Sequence, residues 1–65
     1  MNPEHPFHVG QRVKKVTGDY RITGTIRSIF LTGSKHIRLV VEHQAEGGGS
    51  FLHIYSRKNL EPLDE

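Results

Sequence analysis

The chain has 65 residues, 18 of them Leu, Ile, Val or Phe, which is above the roughly one-fifth below which a chain stays disordered. It is one domain at most, and a domain this small buries only about 60% of its unfolded surface, so a drug-sized ligand needing about 300–1,000 Å³ is expected on its surface or between copies. The net charge of +2 permits a phosphate-bearing partner without requiring one, and the lack of cysteine excludes a disulfide framework, a thiolate zinc site and a cysteine nucleophile.

In chain order, residues 1–8 carry two prolines and two histidines with little apolar periodicity and read as a loose arm ahead of a domain over 9–65. The start, Met1-Asn2-Pro3-Glu4-His5-Pro6, has neither the basic region nor the apolar stretch of a signal peptide. No apolar run approaches the ~20 residues of a membrane span, so a soluble, cytoplasmic chain without membrane contact is expected. Arg12 to Val16 predicts a strand, closed by the turn signal Thr17-Gly18-Asp19. Ile22 to Leu31 predicts a second, with Ile22, Gly24, Ile26, Ser28 and Phe30 on one face. Gly24 within it marks a bulge or a close backbone approach. Thr32 to Lys35 is a hairpin turn. His36 to His43 is a third strand, alternating Ile37, Leu39 and Val41 against His36, Arg38 and Val40. A glycine-rich loop, Ala45 to Ser50, leads into Phe51-Leu52-His53-Ile54-Tyr55. Ser56 to Asn59 is a turn or a single helical turn, and Leu60 to Leu63 a short edge strand, where proline is tolerated.

Short strands at close spacing with no amphipathic helix point to an all-β fold, a small antiparallel barrel of about five strands. The SH3-like barrel suits this length. The strand Phe51 to Tyr55 is apolar on both faces. Leu52 and Ile54 supply the core face, and Phe51, His53 and Tyr55 form a second face that a lone barrel cannot cover. A contiguous exposed apolar patch marks an interaction site.

Gly10-Gln11-Arg12-Val13-Lys14-Lys15, Gly24-Thr25-Ile26, Val41-Glu42 with Ala45, and Ile54-Tyr55 ahead of Leu60-Glu61 resemble the plasmid-borne, trimethoprim-insensitive type II dihydrofolate reductases, over roughly residues 8 to 63. The resemblance implies SH3-like barrels assembling as a homotetramer around one central pore. That pore would use NADPH as cofactor to reduce dihydrofolate. The family's pore strand, Val-Gln-Ile-Tyr, corresponds to Leu52-His53-Ile54-Tyr55, with His53 in place of glutamine. A neutral imidazole donates and accepts like an amide, but it also titrates near neutrality. By this resemblance His53 and Tyr55 are the catalytic candidates. Lys15, Leu52, His53 and Ile54 would hold the cofactor, and Lys15, His53, Ile54 and Tyr55 the substrate. The family's serine before the pore strand has no clean match, since Phe51 stands there and Ser50 one residue back. Its loop histidine is replaced by Glu46, with His43 the nearest substitute, so assembly is expected to respond to pH differently.

The residues themselves show no conventional catalytic set. Ser28, Ser34, Ser50 and Ser56 lack the spacing of a nucleophile with its base. Gly47 to Ser50 has no following lysine to complete a phosphate loop, and the five histidines show no metal-ligand spacing. A reductase needs none of these, because the cofactor carries the hydride and the protein supplies position. Two alternatives remain. One is a non-catalytic SH3-like module for nucleic acid or peptide, using Lys14, Lys15, Arg21, Arg27, Arg38, Arg57 and Lys58 with Phe51 and Tyr55 as stacking platforms. The other is a tetrameric scaffold with a vestigial pore.

Overall fold

Alternation along the chain builds five strands in the computed structural model, which describes residues 7–18 and 21–63. They are β1 (Arg12–Lys15), β2 (Thr23–Leu31), β3 (Ile37–Gln44), β4 (Ser50–Ser56) and β5 (Leu60–Pro62), with a 3₁₀ turn, Arg57–Asn59, between the last two. All pair antiparallel in one sheet of order β4-β3-β2-β1-β5. Among the described residues β4 and β5 are its two edges and do not pair with each other, so the sheet is open. No helix of the described residues is long and apolar enough to cross a membrane.

The core lies on one face of this curled sheet. Val13 of β1, Ile26 of β2, and Leu39 and Val41 of β3 are fully buried, with Leu60 and Phe7 beside them. Phe7 belongs to the sequence expected to be a loose arm, yet it packs into the core. The rest of that arm, residues 1–6, lies outside the described residues, as does Asp19 of the first expected turn.

Gly24 sits where β2 presses closest to β3. A Cβ there would stand 2.6 Å from Val41 Cγ1, 2.7 Å from the Glu42 carbonyl oxygen and 2.8 Å from His43 Nδ1. The close approach expected at Gly24 is therefore present. The bulge is not at Gly24 but further on, where the β2–β3 register shifts between Ile26 and Ser28. This corrects the expected face of β2. The extra residue turns Ile29, opposite Leu39, towards the core, while Ser28 and Phe30 face outward opposite Val40 and Arg38. A single inserted residue reverses inside and outside for everything after it.

Local chemistry accounts for the β2–β3 and β3–β4 turns. In the β2–β3 turn Lys35 N–H donates to the Thr32 carbonyl at 2.8 Å, and Thr32 Oγ1 accepts from the amides of Ser34 and His36. In the β3–β4 turn Gly47, Gly48 and Gly49 all have positive φ, a run that side chains would strain. Val16 N–H donates to the Asn59 carbonyl at 2.9 Å, and Thr17 Oγ1 bonds the Asn59 side chain. These contacts tie the end of β1 to the 3₁₀ turn and start β5 beside Lys15.

Candidate functional site at the edge strand

β4 carries most of the candidate residues, and the structure reverses its faces. His53 lies opposite Val41, Tyr55 opposite Leu39 and Phe51 opposite His43, all on the core side of β3. Leu52 and Ile54, expected in the core, face outward at 62% and 55% exposure. The reason is register. β3 buries Leu39, Val41 and His43, so antiparallel pairing commits the matching residues of β4 to the same face.

Tyr55 is thereby withdrawn into the chain. Its side chain is buried, and its hydroxyl lies 2.8 Å from His43 Nε2. His43 Nδ1 lies 2.9 Å from the Thr23 carbonyl. A carbonyl only accepts, so Nδ1 carries the proton, and in the neutral ring Nε2 accepts from the Tyr55 hydroxyl. His43 is 1% exposed with both nitrogens satisfied inside its own chain. The role considered for it, a loop histidine in assembly, does not suit that position. Tyr55, a catalytic candidate by the resemblance, has its hydroxyl in this same internal bond.

His53 remains at the surface. Its ring lies against that of Tyr55, with centroids 4.6 Å apart and planes tilted by 31°, so a buried tyrosine orients an exposed imidazole. Phe51 lies against His43, at 5.2 Å between centroids, and leaves its outer side exposed. On the opposite face Ile54 lies opposite Val40 and Leu52 opposite Glu42, and on the same face of β2 the ring of Phe30, opposite Arg38, is also exposed. Beside Leu52 stands Glu42, which accepts from Ser50 Oγ at 2.6 Å and pairs with Arg27 Nε at 2.7 Å. The Ser50 hydrogen bond first, and the Arg27 bond and charge next, hold its carboxyl below the ordinary value of 4.5. It therefore stays ionised at neutral pH and is no proton donor.

Lys15 is not brought to β4. Two strands, β2 and β3, separate its strand from β4 in the sheet. Its ammonium donates to the Thr17 carbonyl, and with Lys14 and Arg21 it lines an open cleft of about 720 Å³ over Val16, Ile22 and Thr23. Only Lys15 was singled out for the site by resemblance. Lys14 and Arg21 join it because β1 pairs antiparallel with β2, Lys14 opposite Thr23. Among the described residues no three metal-ligating side chains cluster. Compared with protein-family models, with curated proteins and with solved structures, the chain has no match.

Proposed function

We propose that the chain is a subunit of an NADPH-dependent dihydrofolate reductase resembling the type II enzymes. In this reading the sheet is an SH3-like barrel and four copies in the cytoplasm enclose a common pore. One observation carries the reading: the strand that bears the resemblance is also an unpaired edge. β4 is seven residues long, contains no proline or lysine, and presents Leu52, His53 and Ile54 to solvent. A long apolar edge without such protection is a template for association, and a cavity between copies meets the limit that 65 residues set.

Along a free edge alternate residues offer backbone N–H and C=O groups, the pairing that a carboxamide needs. His53 adds a neutral donor and acceptor, held in orientation by the Tyr55 ring. Lys15, with Lys14 and Arg21, supplies the positive charge that attracts phosphates and a glutamate tail. NADPH, when bound, supplies the hydride. No carboxylic acid able to protonate the substrate lies on β4, and Glu42 beside it is held ionised, so the proton comes from solvent.

The test joins assembly to activity. Sedimentation at micromolar concentration should give about four times 7.4 kDa, and NADPH oxidation should depend on dihydrofolate and persist with trimethoprim. Lys15→Met should raise KM for both anionic ligands and flatten their salt dependence, and His53→Gln should keep activity. A monomer without dihydrofolate-dependent oxidation would overturn the proposal.

A further inference from the structure

The scattered basic residues of the sequence are not scattered in space. Four of the nine Lys and Arg residues, Lys35, Arg38, Arg57 and Lys58, line one open cavity of about 520 Å³, and His36 joins them. They come from the β2–β3 turn, the start of β3 and the 3₁₀ turn after β4. Among the described residues no acidic side chain lines this cavity, and Lys35, Arg38 and Lys58 form no ion pair with a carboxylate. Like charges gathered together repel one another, a cost that an entering anion removes.

Two further features show a shaped site rather than a cationic surface. Arg38 is half-buried and donates from one Nη to the Ile37 carbonyl at 3.1 Å, which orients a guanidinium whose remaining donors are left for a ligand. Lys35 is held at φ +67°, the one positive φ among the described non-glycine residues. This left-handed conformation is uncommon for a lysine, although Gly33 stands two positions away. Leu31 and Ile37 give the cavity an apolar wall.

We infer that this cavity binds a ligand carrying adjacent phosphate groups, with an apolar ring or sugar against Leu31 and Ile37. The volume suits a nucleoside polyphosphate, and the same phosphates could be presented by a nucleic-acid backbone. The site shares no residue with the cleft of Lys14, Lys15 and Arg21, so it stands whether or not the reductase proposal does.

The test is calorimetric titration of the full chain, at neutral pH and low salt, with ATP, inorganic tripolyphosphate and a short oligothymidylate. ATP should bind, and added salt should weaken it. Arg38→Gln and Lys58→Gln should each weaken binding about tenfold, the scale of one charge-assisted hydrogen bond. Arg12→Gln, an exposed β1 residue outside the cavity, should change it less than about twofold on the same scale. Lys35→Gly relieves the positive φ, so it should hold or raise the melting temperature while weakening ATP, and a folding defect cannot mimic that pair of results. Tighter binding of ATP than of oligothymidylate would support a free nucleotide as the source, and the reverse order a nucleic acid. The inference is overturned if none of the three probes binds, or if Arg12→Gln weakens ATP as much as Lys58→Gln.

Discussion

β3 and β4 are neighbouring strands of similar length and apolar content, yet the structure treats them oppositely. Among the described residues β3 has a strand on each side and buries Leu39, Val41 and His43, whereas β4 has one neighbouring strand and buries only Tyr55. The two strands differ less in composition than in what surrounds them. Burial is a property of the packed environment, and an edge strand keeps its apolar residues in water unless something else covers them.

The sharpest way to break this comparison is to truncate one residue on each strand. Leu39→Ala should cost about 3 kcal/mol, as lost transfer and an unfilled cavity in a close-packed core, a large share of the few kcal/mol expected for so small a domain. Ile54→Ala should cost less than about 0.5 kcal/mol in dilute solution, while reducing any rise of melting temperature with protein concentration. Thermal melts over a concentration series read both. Equal losses at high dilution would mean that β4 is covered within its own chain.

Gly24→Ala comes next and probes how tightly β3 is held from its other side. The new methyl would meet Val41, the Glu42 carbonyl and His43 at under 3 Å, and two of these contacts are with backbone or a hydrogen-bonded ring. Overpacking of this kind costs about 2 kcal/mol, seen as a lower midpoint in denaturant with little change of slope. A neutral result would mean that β2 and β3 part easily.

Tyr55→Phe tests the one side chain of β4 that shares the core. It removes the donor to His43 Nε2 and leaves a buried acceptor unsatisfied, at about 1–2 kcal/mol. The loss should not depend on protein concentration, in contrast to Ile54→Ala. Chemical denaturation at two concentrations separates them.

The smallest effect belongs to Glu42, on the outer face between the two strands. Its folded pKa lies below 4.5 because Ser50 and Arg27 favour the ionised form. The stability it contributes is present above about pH 4.5 and is lost as pH falls through the lowered value. Glu42→Gln should therefore flatten the acid side of the stability profile and change little else. An unchanged acid limb would show that the contacts of Glu42 with Ser50 and Arg27 add nothing in solution.

Much of the architecture was legible in the residues because it rests on local chemistry. The alternation of Ile37, Leu39 and Val41, the turn residues Thr32 to Lys35, the glycine run 47–49 and the short turn before Leu60 place five strands without reference to anything distant. Gly24 was also legible, since a lone glycine inside an apolar strand has few other reasons to be there. The face of β4 was not. With Phe51, Leu52, His53, Ile54 and Tyr55 all apolar or aromatic in character, alternation has two equivalent solutions, and only register with Leu39 and Val41 selects one. The bulge after Ile26 was hidden for the same reason, because an extra residue leaves no local mark when Ile29 and Phe30 are both apolar. Pairing across the sheet also makes His43 the buried partner of Tyr55. The convergence of Lys35, Arg38 and Lys58 needed the path of the chain, which returns the 3₁₀ turn to the mouth of the β2–β3 hairpin. Sequence thus determined which segments extend and where they turn, since those depend on each residue and its nearest neighbours. Tertiary structure alone decided which face is wet and which charges meet, since those depend on what packs against a strand from far along the chain.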